Sequence, residues 1–145
     1  MKWATTNIGA ESVTDAGLYF QWADTDGYAP EEIGIGVNQK SFGWANYKYG
    51  NNTSSPGVGG MSKYNPTDNK VILDSSDDTA SIRFGGNWRL PTPTEYQSLG
   101  TAVDTEWTDD YQGSGVAGLI CTDKTDNTKV LFFPAAGSAN NGDSD

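Results

Sequence analysis

An α+β fold with two short helices, a small antiparallel sheet and long irregular loops is what this sequence predicts, and three observations predict it. Two segments carry helix-start residues followed by glycine stops. Two β-branched and aromatic runs near the C-terminal end are spaced as a hairpin. The rest is dominated by Gly, Asn, Ser, Thr and Asp, with eighteen Gly in 145 residues, a composition that favours turns over regular elements.

The helices come first. Asp74 is placed to cap a helix over residues 75–84, with Asp77 and Asp78 near its positive N-terminus and Gly85-Gly86 as its stop. The second helix opens at Thr92-Pro93-Thr94-Glu95, a capping box with proline at the first helical position, and runs through Leu99 to a stop at Gly100. Asn87 to Pro91 reads as an extended connector.

Val116–Thr122 and Lys129–Phe133 are predicted strands joined across a polar loop, giving a hairpin within 116–133. Lys2 to Ala10 reads as a further strand running into a turn, and Gly17 to Ala23 as an aromatic-rich apolar run ending at the polar loop Asp24-Thr25-Asp26-Gly27. Trp3, Trp22, Trp88 and Phe132 are expected in the core, with Arg89 and Trp107 at the core or its rim and Arg89 paired with a carboxylate. Between Tyr28 and Tyr64 no period of 2 or 3.6 persists. A long structured loop region is expected there because linkers seldom carry so many aromatics. Ser138 to Asp145 is polar and ends with no element.

Composition narrows the function. Length suits one domain spanning residues 1–145. Hydrophobic residues are only 35%, but five Trp, seven Tyr and five Phe supply large buriable areas. A net charge of −10, with nine Lys and Arg, leaves no basic patch for nucleic acid and disfavours anionic lipid. Histidine is absent, which removes the commonest general base at neutral pH and every His-containing zinc site. The single Cys121 lies in an apolar run and reads as a buried, inert thiol. No segment reaches transmembrane length, so no membrane insertion is expected.

Trp3-Ala4-Thr5-Thr6-Asn7-Ile8-Gly9-Ala10, the Gly17–Trp22 run, Gly85-Gly86-Asn87-Trp88-Arg89-Leu90-Pro91-Thr92 with Glu95, and Leu131-Phe132-Phe133-Pro134-Ala135-Ala136-Gly137 occur in that order. Together they resemble the Fibrobacter succinogenes major paralogous domain family, abundant in gut Bacteroidetes and their phages. That family is related to the variable proteins of diversity-generating retroelements and to formylglycine-generating-enzyme-like domains. The resemblance implies a C-type-lectin-like fold on a cell surface or virion, such as a phage tail fibre. Family members continue past the Pro-Ala-Ala-Gly turn into further strands. The resemblance therefore implies a domain lacking its C-terminal strands, with another chain or a missing C-terminal segment completing the sheet.

Its functional implication is a ligand-binding module, an adhesin or receptor-binding domain for a glycan or a surface protein. The alternative is a structural or assembly domain of a phage particle or surface appendage. A formylglycine-generating-type oxidase is the remote one, since those enzymes use cysteines and copper and this chain has one Cys and no His.

Candidate residues are few. Trp44, Tyr47 and Tyr49 could stack on sugar rings or anchor a protein partner, or they could fill a secondary core beneath the loop. Asp24 and Asp26 could ligate calcium, but Asp24-Thr25-Asp26-Gly27 lacks the further spaced ligands of an EF-hand loop, and a turn explains it as well. No other cofactor is expected. Asp74, Asp77 and Asp78 are explained by helix capping. No phosphate loop or nucleophile elbow is present, and no catalytic residue is expected. A two-carboxylate glycosidase stays open in so acidic a chain, yet nothing singles out a pair.

Overall fold

The structure is a computed structural model that describes residues 1–34, 39–50, 60–140 and 143–144. It is α+β, with two helices and a three-stranded antiparallel sheet. The chain forms two compact units. One comprises Met1–Leu18 with Pro91–Ala136, the other Tyr19–Leu90 with Gly137–Asp145.

The first unit is built on helix α2, Pro93–Ala102, and strands β1 (Val103–Thr108), β2 (Gly118–Asp123) and β3 (Val130–Pro134), in sheet order β1-β2-β3. The capping box at the start of α2 forms as its sequence predicts. The Thr92 amide donates to Glu95 Oε2 at 2.8 Å, and the Glu95 amide to Thr92 Oγ1 at 3.3 Å. Gly100 does not stop this helix. A glycine in the last turn costs only about 1 kcal/mol, and the backbone turns extended at Val103 instead, whose amide still donates to the Leu99 carbonyl. Trp3, half-buried rather than enclosed, lies against Tyr96 of α2 with ring centroids 5.4 Å apart.

The predicted hairpin is β2–β3, paired from Gly118↔Pro134 to Thr122↔Val130. Its loop is organised by two aspartates. Asp123 Oδ1 accepts from the Thr125 amide and hydroxyl, and Asp126 Oδ1 from those of Thr128. On one sheet face Phe132 stacks on Tyr111 at 3.9 Å with planes 9° apart. A Cβ at Gly118 would land on the Phe133 carbonyl and within 2.5 Å of the Phe132 ring, so glycine gives that ring its seat. Cys121 is buried, and burial pushes its thiol up, away from the reactive thiolate.

β1 is a strand the opening reading does not assign. Val103-Asp104-Thr105-Glu106-Trp107-Thr108 alternates β-branched or aromatic residues with acids, a period-2 signal. Trp107 is a rim or core expectation that fails. It is 57% exposed on this edge strand, with its indole N–H held by Asp109 Oδ1 at 2.8 Å. The N-terminal segment also differs from expectation. Residues 2–10 form no strand, because the Gly9 and Gly17 backbones bring the chain back on itself, with the Leu18 amide donating to the Ile8 carbonyl at 2.9 Å.

The second unit holds helix α1, Thr79–Phe84, and a minimal antiparallel pair, β4 (Ala139–Asn140) with β5 (Asp143–Ser144). That pair lies where no element is expected. Asn141-Gly142 separates its strands in sequence and lies outside the described residues.

α1 starts four residues later than predicted. Asp78, not Asp74, is its cap, accepting the Ser81 amide at 2.9 Å while its other oxygen takes the Leu90 amide at 2.8 Å. Ser75, Ser76 and Asp77 are poor helix formers, and Asp74 to Asp77 closes a turn instead, with the Asp77 amide on the Asp74 carbonyl at 2.8 Å. The predicted stop holds, with Gly85 at φ 66°.

Two core tryptophans are corrected here. Trp22 is 55% exposed because Trp22 and Ala23 are the central residues of a turn closed by the Asp24 amide on Gln21 O. The turn leaves Ala23, at φ 60°, facing inward instead. Trp88 is 40% exposed because it follows the Gly85-Gly86 turn and lies on Phe84 at 6.0 Å, outside the short helix. Phe132 is buried as expected.

Candidate functional site

The aromatic loop residues form a connected ladder in the second unit. Trp44 meets Tyr47 at 5.8 Å, Tyr47 meets Tyr49 at 6.1 Å, and Tyr49 meets Tyr64 at 5.7 Å, each edge to face. That geometry sets the positive edge of one ring against the negative face of the next. Ala23, Tyr47, Met61 and Tyr64 are buried together, with Trp44, Tyr49 and Leu73 half-buried against them. Of the three aromatic candidates, Tyr47 thus lies inside, while Trp44 and Tyr49 keep part of their surface in solvent.

Local backbone explains the arrangement. Gly43 leads into a single 3-10 turn over Trp44–Asn46, so Trp44 and Tyr47 project from opposite ends of one turn. Gly50 follows, where a Cβ would collide with the Trp44 carbonyl and crowd Tyr47. The Tyr64 backbone, at φ 60°, is held by Asp68, which accepts from the Tyr64, Asn65 and Lys70 amides.

Beneath the ladder lies Asp77, whose side chain is 4% exposed. Its Oδ1 accepts from Lys48 Nζ at 2.8 Å and the Tyr49 hydroxyl at 2.7 Å. Its Oδ2 accepts from Lys63 Nζ and from the Tyr64 hydroxyl, the latter at 2.7 Å. Two donors on each oxygen give the buried carboxylate the pairing it needs. Burial alone would push the Asp77 carboxyl up, but these four donors outweigh it and hold it well below the usual carboxylate range.

Asp74 extends the cluster outward. It takes Lys63 at 2.8 Å and Lys70 at 2.6 Å, and those ammonium groups draw its carboxyl down. Its amide donates to the Tyr64 hydroxyl at 3.0 Å, so that one oxygen both accepts from Asp74 and donates to Asp77. Hydrogen bonds from Lys63 to Asp74 and then to Asp77 raise the lysine well above its ordinary value. Lys63 also lies over the Tyr64 ring at 4.9 Å and the Tyr49 ring at 5.6 Å.

The Tyr47 hydroxyl differs from its neighbours. It is buried with no hydrogen-bond partner among the described residues, and burial pushes it up to about 12, with Tyr49 and Asp24 adding to the effect. Asp24 stands near Tyr47, but among the described residues it and Asp26 join no group of three or more acids or thiols. The Asp26 amide caps Asp24 Oδ1 at 3.2 Å, as in an ordinary polar turn. Among the described residues no group of three or more acids or thiols could hold a metal ion, and no helix is long and apolar enough to cross a membrane.

Asp77, expected at a helix start, is instead the acceptor of Lys48 and Lys63, which the expected sites do not include. A signal was present. The chain has nine Lys and Arg, and Lys48 falls between Tyr47 and Tyr49, Lys63 falls next to Tyr64, and Lys70 precedes Asp74 by four residues. In so acidic a chain, cations gathered around aromatics mark a place where charge is being paired. No protein-family model, curated protein or solved structure matches this chain.

Proposed function

We propose that this protein is a ligand-binding module of C-type-lectin-like fold, displayed outside the cell or on a virion, where it recognises a glycan or a surface protein. The resemblance to the Fibrobacter succinogenes major paralogous domain family supports that reading. The observation that carries it is the ladder Trp44–Tyr47–Tyr49–Tyr64, clamped from below by Asp77. A stacking surface binds best when its rings are already fixed, because little side-chain entropy is then lost on contact. Tyr47 acts as the buried support, and the half-exposed faces of Trp44 and Tyr49 make the contact. The partly exposed Lys48 ammonium beside them supplies a donor for a hydroxyl or carboxylate. The net charge of −10 keeps such a module soluble and away from anionic surfaces.

Glycan-array binding of the purified chain tests this, compared with Trp44→Ala. Trp44 is only half-buried, so the variant is expected to stay folded and to lose about tenfold or more in affinity, equivalent to about 1.4 kcal/mol. Equal binding by both proteins, or no binding to any glycan or host-surface protein, would defeat the reading.

A further inference from the structure

The two edges of the three-stranded sheet are not equivalent. The register fixes which backbone groups point outward from each. The Asp123 amide donates to the Lys129 carbonyl and the Ala135 amide to the Ala117 carbonyl, so Cys121↔Leu131 and Leu119↔Phe133 are the hydrogen-bonded pairs of β2–β3. Val130 and Phe132 therefore direct both N–H and C=O away from β2. The Lys124 amide on the Ala102 carbonyl sets β1 in the same way, so Thr105 and Trp107 point outward there. Among the described residues no strand occupies either edge.

Side chains separate them. Antiparallel pairing of β1 with its own copy through Thr105 and Trp107 sets Glu106 opposite Glu106 or Asp104, or, centred on Trp107, sets Asp104 opposite Asp110, and like charges directly across are unfavourable. Asp109 and Asp110 add to that negative edge. β3 carries no acid between Lys129 and Pro134. Val130 is 42% exposed, and Leu131 and Phe133 are half-buried.

We infer that β3 pairs antiparallel with β3 of a second copy of this chain, about a two-fold axis at Leu131, to make a continuous six-stranded sheet. In that register Val130 faces Phe132 of the partner subunit and Phe132 faces the partner's Val130. All four outward N–H groups then find carbonyls. Leu131 meets the partner's Leu131 in a close non-hydrogen-bonded pair, and Lys129 lies opposite the partner's Phe133. Shifting the register by two residues toward the C-terminus sets Val130 opposite Pro134, which has no N–H and whose carbonyl already accepts the Ala136 amide at 2.8 Å. The contact is isologous, so it closes as a dimer rather than growing into a fibre. It also joins the chains of this −10 protein along a strand that carries no acid. Association should therefore tighten as salt rises.

Sedimentation equilibrium of the full chain over a concentration series, at low and high salt, is the test. A dimer is expected for the native chain, and monomers for Val130→Pro and Val130→Lys. Neither change touches a β2–β3 hydrogen bond, and near-UV circular dichroism reports whether each stays folded. Asp104→Asn with Glu106→Gln should leave dimerisation unchanged. Hydrogen exchange on the native chain keeps the test open even if a variant misfolds, because the Val130 and Phe132 amides should gain protection as concentration rises. A monomer at every concentration overturns the inference. So does a dimer that survives both Val130 changes, or one in which those two amides stay unprotected.

Discussion

Tyr49 and Tyr64 meet edge to face with centroids 5.7 Å apart, and each gives its hydroxyl proton to a different oxygen of Asp77. One carboxylate thus ties the aromatic loop to the segment ahead of α1. Its lysine donors, Lys48 and Lys63, are the chain neighbours of these two tyrosines.

Asp77→Ala should therefore be among the most damaging single changes in the chain. It removes the acceptor shared by two hydroxyls and two partly exposed ammonium groups, of which Lys63 keeps Asp74, and losing hydrogen bonds to a charged group of this kind costs about 1.5–3 kcal/mol. Urea denaturation measures it. Lys70→Ala is the matched control, because Lys70 pairs only with the exposed side of the cluster at Asp74, and it should change stability little. Similar losses in both variants would mean that Asp77 is not the hub.

The same cluster sets an acid limit. Asp77 and Asp74 are held below their ordinary value of 3.8 when folded. Their contribution is complete above that value and is lost as pH falls toward the folded pKa values. Lys63 is raised above its ordinary 10.5, so its contribution is complete below that pH and is lost as pH rises through the higher folded value. Stability from this cluster should be flat from about pH 5 to 10 and should fall below about pH 4. Denaturation midpoints across that range check it. In Asp77→Asn the acid slope should become shallower, and the part from Asp15, Asp68, Asp74, Asp123 and Asp126, which are also held below 3.8, should remain.

Gly118→Ala should disturb the hairpin although it adds one methyl group. The new Cβ would meet the Phe133 backbone and the Phe132 ring, and that ring cannot yield without leaving Tyr111. Overpacking of this kind costs about 1–3 kcal/mol. Thermal melting gives the loss, and weaker near-UV dichroism from Tyr111 would report the displaced stack.

Phe132 and Trp22 should respond oppositely to truncation. Phe132 is 6% exposed and Trp22 55%. Phe132→Ala should cost about 3–5 kcal/mol, and Trp22→Ala no more than about 0.5 kcal/mol. Equal losses in denaturation would show that Trp22 is enclosed after all.

What the amino-acid sequence determined by itself was local. The Thr92–Glu95 capping box, the Gly85 stop, the hairpin and the buried Cys121 all depend on residues close in the chain, whose conformations are set by sterics, backbone hydrogen bonds and short-range patterning. The tertiary structure decided the rest. Asp77 could be a helix-start acid or a buried hub, and only the convergence of Lys48, Tyr49, Lys63 and Tyr64 makes it the hub. Trp22 and Trp88 look like core residues by composition, but the turns that carry them point outward. Hydrophobicity says which side chains would gain from burial. Which ones find a partner depends on where distant segments meet, and that is a property of the folded chain.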